Sequence, residues 1–329
     1  MTSFKPRRLF LSSLLAAMGL AVPLAPAWAQ LFPSKPVRIV IGFPPGGGID
    51  IVARTIAPKL SEALGQPVII DNKPGVAGVL GTNLVAKAPA DGHTIFFGTT
   101  GNISINPVFM PNLPFNMDKD FTPLMLVASL PFLVYAHPSV PVKNLTELVA
   151  YAKANPGKVN FYSSGNGGLP HLTGELLNNV AGIQTVHIAY KGSAPGMNDL
   201  IGGQVQLGYD TVAIGLQHIK TGRLRALATT GPKRLAILPD VPSTSEFASG
   251  LEAVNWYGMV VPAGTPREAI ARLNREITKV LEMPDIKEKL VSQGIDPAAN
   301  SPEEFGEFMK SEAAKWARVI RAANIKPDS

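Results

Sequence analysis

The chain has 329 residues, enough for two domains of ordinary size, and contains no cysteine. Disulfides, thiolate metal sites, a thiol nucleophile and a cysteine-built lipid anchor are therefore excluded. The formal charge of +6 falls to +3 once Lys5, Arg7 and Arg8 are set aside, which gives no charge-based case for a nucleic-acid partner.

Residues 1–29 read as a cleaved export signal. Lys5, Arg7 and Arg8 form a positive start, Leu9 to Leu24 an apolar stretch, and Ala27-Trp28-Ala29 a small-x-small cleavage site. The stretch is short for a membrane span and carries Pro23 and Pro26. Arg7-Arg8-Leu9-Phe10-Leu11 fits a twin-arginine leader as well as a general secretory one, so the route stays open.

The mature chain opens on a strand from Val37 to Ile41, a Pro44-Pro45-Gly46-Gly47-Gly48 turn and a helix over Ile51–Leu64, whose Ile56, Leu60 and Leu64 share one face. A buried strand leading through glycines into a helix N-terminus is a ready anion site. Asp50 is expected to cap that helix. Strands follow at Gln66–Ile70 and Thr94–Gly98, the latter ending in a loop of small donors, Thr99 to Ser104. Leu124–Leu130 and Phe132–Ala136 read as two strands broken by Pro131, a crossover between domains. The pattern then restarts. Val159–Tyr162 leads into Ser163-Ser164-Gly165-Asn166-Gly167-Gly168 and a helix, Val186–Tyr190 into Lys191-Gly192-Ser193, and Val205–Tyr209 into Asp210-Thr211. Trp256–Val261 begins the return. Helices over Arg267–Leu281 and from Ser301-Pro302 to about Ala322 are expected to pack back on the first domain.

Strands and helices that alternate in this way indicate α/β architecture with parallel sheets covered on both faces, and ligands then sit at the carboxyl ends of strands. Domain 1 is expected over residues 30–128 and 255–329, and domain 2 over 129–254. Two crossings between domains suit a hinged, cleft-binding protein.

The opening loop lacks the order of a phosphate-binding loop and of a dinucleotide fingerprint, which leaves a structural turn or a small-ligand site of backbone N–H groups. Ser164, His171 and Asp210 could make a nucleophile, base and acid on paper, but Ser164 is not in a Gly-x-Ser-x-Gly elbow. The plainer reading makes Ser163, Ser164 and the glycines hydrogen-bond donors and His171 a support or helix cap. Without cysteine or a His-x-x-x-His pair, no metal or other cofactor is expected. Lys191 is the one cation in these loops, and Asp210 the one acid facing the cleft from the second domain.

Together these segments resemble the periplasmic solute-binding receptors of tripartite tricarboxylate transporters, the Bug family. The resemblance is carried by Pro36–Val40 with Pro44–Asp50, Asp71-Asn72-Lys73-Pro74-Gly75, Ala90–Thr94, Ser164–Gly168 with His171-Leu172, Tyr190–Pro195, Asp199–Gln204, Leu238–Pro242, Trp256-Tyr257-Gly258 and Pro262–Pro266, in the family's order. It implies a Venus-flytrap fold of the type II periplasmic binding class, two doubly wound domains hinged around a cleft. It also implies capture of a small carboxylate (dicarboxylate, amino acid, tricarboxylate or aromatic acid) by a monomer in the periplasm, and delivery to membrane permease subunits. It places a first-domain clamp at Phe43, Gly46, Gly47, Gly48, Thr99, Thr100, Gly101 and Asn102. A second clamp would comprise Ser164, Gly165, Gly167, Gly168, Gly192, Ser193, Asp210 and Thr211, with His171 and Lys191 as further candidates. Gly168 stands where the family commonly has a small hydroxyl. A secreted serine hydrolase and a ligand-presenting sensor subunit are the competing readings.

Overall fold

The computed structural model describes residues 32–190 and 193–327, so the expected leader, Lys191 and Gly192 lie outside it. In chain order the elements are β1 (Val37–Ile41), α1 (Gly48–Leu64), β2 (Val68–Asn72), α2 (Val79–Ala86) and β3 (Thr94–Thr99). A π-helical turn, Gly101–Ile105, runs into α3 (Asn106–Phe109), followed by α4 (Met117–Asp120) and β4 (Phe121–Ala136). Next come α5 (Leu145–Ala154), β5 (Asn160–Ser163), α6 (Leu169–Ala181), β6 (Val186–Ala189), α7 (Ser193–Ile201), β7 (Leu207–Thr211), α8 (Val212–Lys220) and β8 (Arg225–Thr229). The chain closes with β9 (Val254–Pro262), α9 (Arg267–Glu282), α10 (Pro284–Val291), β10 (Asp296–Pro297) and α11 (Pro302–Ala322).

β1 lies between two parallel neighbours, β2 and β3. A strand covered on both faces needs apolar side chains on both, and Val37, Ile39, Val40 and Ile41 are fully buried. A second parallel set, β6-β5-β7, forms the other half. The sheets are not parallel throughout, because β9 runs antiparallel to both β3 and β4, and β4 antiparallel to β7 and β8. The result is two α/β half-sheets joined through β4, as expected of a two-domain architecture. Among the described residues no helix is long and apolar enough to cross a membrane.

The break expected at Pro131 does not occur. β4 is one strand of 16 residues. Phe121 to Pro131 pair with β9, Phe132 to Ala136 pair with β7 on one edge, and Leu133 to Ala136 pair with β8 on the other. Pro131 falls at the switch between the two half-sheets, where a missing N–H costs no ladder bond. Thr230 stitches this junction. Its hydroxyl accepts from Phe132 N at 2.9 Å and donates to Ala253 O at 2.6 Å, joining the two segments that cross between halves.

α11 is a third link. Phe305 and Met309 join the core built on Val40, Phe96 and Val260, while Trp316, Val319 and Ile320 join the core built on Phe161, Leu172 and Tyr209. The tail therefore packs on both halves, not on the first alone, because its 21 residues outreach a single half-sheet.

Candidate functional site

A cleft of about 480 Å³ opens between the halves. Each wall is made where a strand ends. Phe43 follows β1, Thr99 closes β3, Ser164 to Gly168 follow β5, and Asp210 and Thr211 end β7. β7 sits two residues further along than expected, since Thr211 pairs with Phe132 and Asp210 with Leu133. Those residues are thereby fixed by the sheet instead of by a loop.

Three helices begin at this cleft: α6 with Gly168 at its N-cap, α7 at Ser193, and α8 with Thr211 at its N-cap. Their first N–H groups have no partner inside the helix, and the aligned peptide dipoles place partial positive charge there. The cleft thus attracts an anion without an arginine among its described lining residues.

The opening loop is held from behind. Asp50 is 2% exposed and accepts from Gly46 N and Arg54 Nε at 2.9 Å and from Asn72 Nδ2 at 3.0 Å. Asn72 also donates to Phe43 O at 3.0 Å. Asp50 is a loop anchor and makes no cap bond to the start of α1, whose N-cap is Gly47. Burial pushes its carboxyl up, but the hydrogen bonds from Arg54, Gly46 and Asn72 outweigh this and hold it below its ordinary value.

Asn102 Oδ1 accepts from Thr99 N at 3.1 Å, and Asn102 Nδ2 and Asn106 Nδ2 both donate to Ala77 O. Ala77 holds a left-handed backbone, φ 51°, that these two amides brace. In the other wall, Asp210 is 5% exposed, with Tyr162 Oη donating to it at 3.1 Å and Thr211 N at 2.8 Å. Burial raises its carboxyl above the ordinary value, only partly offset by hydrogen bonds from Ser193, Thr211 and Tyr162.

Of the expected residues, Phe43, Thr99, Gly101, Asn102, Ser164, Gly165, Gly167, Gly168, Ser193, Asp210 and Thr211 line the cleft. Gly46, Gly47, Gly48, Thr100 and His171 do not. Thr100 is fully buried, and its hydroxyl accepts Trp256 N at 2.9 Å. His171 lies under the loop, its Nδ1 accepting Gly167 N at 3.1 Å and its ring stacked on His187 at 3.5 Å. His187 Nε2 is 2.6 Å from Ser163 Oγ, and burial lowers His187 to about 4. Both histidines thus brace the loop from below, His187 as a neutral ring. His171 Nδ1 accepts the Gly167 N–H and so offers no N–H to the acid that would orient a serine base through that atom. No cluster of His, Asp and Glu able to hold a metal occurs among the described residues.

Asn106, Phe109, Phe132 and Asn255 also line the cleft and were not expected. The pair Asn102 and Asn106, four apart on one helical face, is a signal that could have found the first of them. The contact of Phe109 with Gly167 joins the halves in space and leaves no trace in sequence.

The family profile described as "Tripartite tricarboxylate transporter family receptor" matches residues 52–325. The UPF0065 protein in the tcbD-tcbE intergenic region of Pseudomonas sp. (strain P51) is 40% identical over 311 residues, covering 93% of this chain and 92% of its own. Among solved structures, an R. palustris protein "with adipate" is 34% identical with a TM-score of 0.77, covering 90% of this chain and 100% of its own. MatC from Rhodopseudomonas palustris "with bound malate" is 29% identical with a TM-score of 0.73, covering 88% and 100%.

Proposed function

The chain belongs to the tripartite tricarboxylate transporter receptor family, and on that premise we propose that it is a periplasmic receptor that closes on a small carboxylate and presents it to the membrane permease of such a transporter. The observation that carries this reading is the convergence of three helix N-termini and neutral donors on one cleft between two hinged halves. That two relatives were solved with adipate and malate supports a carboxylate.

In this reading Thr99, Gly101, Ser164, Gly168, Ser193 and Thr211 hold the ligand with backbone N–H and hydroxyl groups. Lys191 and Gly192, outside the described residues, are proposed as further contacts of the same carboxylate. Gly46 to Gly48 and His171 act behind the contacts, as anchors of the two loops. We take residues 30–128 and 255–329 as one domain and 129–254 as the other, limits within about three residues of the β4 switch at Pro131, with the end of α11 lent to the second core. The leader is removed on export, the mature protein acts as a monomer, and it releases its solute unchanged. A ligand bound by the folded state alone must raise thermal stability. The test is a thermal-shift screen of refolded protein against carboxylates, in which no response from any acid would overturn the reading.

A further inference from the structure

The cleft's composition bears on what the carboxylate is attached to. Its described lining carries one charged side chain, Asp210, and a set of apolar ones: Phe43, Ile105, Phe109, Phe132 and Leu169. Phe43 and Phe109 are only partly buried, so ring surface is available to a ligand. Phe109 reaches across from the other half. A Cβ built on Gly167 would stand 2.2 Å from Phe109 Cε1, so the ring lies against the backbone of the loop that ends at the α6 N-cap. The anion-attracting and apolar features are therefore adjacent.

We infer that this receptor selects a monocarboxylate with an apolar, ring-sized body, its single charge at the α6, α7 and α8 N-termini and its body between Phe43 and Phe109. The inference rests on the carboxylate-receptor reading and narrows it. A second carboxylate would face the apolar wall, where an unpaired charge is costly, the Asp210 carboxyl of the same sign, or neutral amides such as Asn102 and Asn106, which carry no compensating charge and already donate to Ala77 O. A flat apolar body instead meets aromatic faces and edges in favourable geometry. The 480 Å³ cleft lies within the usual range for small-ligand sites.

The test is calorimetric titration of the refolded full-length mature protein at pH 7.5 with benzoate, phenylacetate, adipate, malate and benzamide. The expected result is binding of an aromatic acid roughly tenfold or more tighter than adipate or malate, with no binding of benzamide. Binding of adipate or malate as tightly as the aromatic acids would overturn the inference and leave the receptor reading standing. Benzamide matching benzoate, or silence from all four acids, would overturn both.

Discussion

The carboxylate of Asp50 accepts the backbone N–H of Gly46 at 2.9 Å, with Arg54 and Asn72 on its other lone pairs. One buried side chain thereby holds the glycine turn, the first turn of α1 and the end of β2. Asp50→Asn puts an amide donor where three donors already point. It should cost about 1–3 kcal/mol of stability at neutral pH, read by urea unfolding. The Asp50 pKa is lowered in the folded state, so its contribution is present above the ordinary value of 3.8 and lost as pH falls through the folded value. Wild type should lose stability below about that pH, and the variant should lose less. Equal acid limbs in the two proteins would contradict the assignment.

Asp210 has the opposite sign. Its folded pKa is raised, so the folded state binds the proton more tightly, and the associated stability is lost as pH rises from 3.8 through the folded value. Ionised, it opposes a ligand anion in the same cleft. Affinity for an ionised carboxylate should therefore fall as pH rises through the folded value of Asp210, and Asp210→Asn should flatten that dependence. Titration calorimetry across a pH series decides it.

Glu312 Oε2 receives two buried indole N–H groups, Trp256 Nε1 and Trp316 Nε1, each at 3.1 Å, and pairs with Lys315. Glu312→Ala leaves both indoles without an acceptor, at about 1–3 kcal/mol each. Trp28 lies in the expected leader, so the mature protein's tryptophan fluorescence comes from this pair at the join of the two halves. Glu312→Ala should lower Tm and shift the emission to the red. Unchanged emission would place the indoles elsewhere.

At Gly168, φ is −70° and an added Cβ would meet Gly165 O at 3.4 Å, an ordinary contact. Gly168→Ser therefore fits and supplies a hydroxyl at the α6 N-cap, changing stability by only a few tenths of a kcal/mol. It should alter ligand affinity far more than Tm. Gly167→Ala combines φ 69° with the Phe109 clash and should lower both.

Much of this was legible from local signals. The apolar run of β1, the glycine turn and the Ser301-Pro302 start of α11 each follow from short-range chemistry, and each is present. Pro131 misled because a proline in a strand usually marks an edge or an end, whereas here two half-sheets change partners at that residue. Asp50 does not cap α1 because its carboxylate is taken by Gly46 N, by Arg54 and by Asn72, the last 22 residues away in β2. Phe109 and Phe132 were missed because they reach the cleft through the meeting of the two halves, which no periodicity records.

The central claim is that the two halves close on a carboxylate. Small-angle scattering of the refolded protein, with and without saturating carboxylate from the panel above, tests it most directly. A smaller radius of gyration with the acid, and no change with the matching amide, is the predicted result. An unchanged radius with an acid shown calorimetrically to bind would contradict closure.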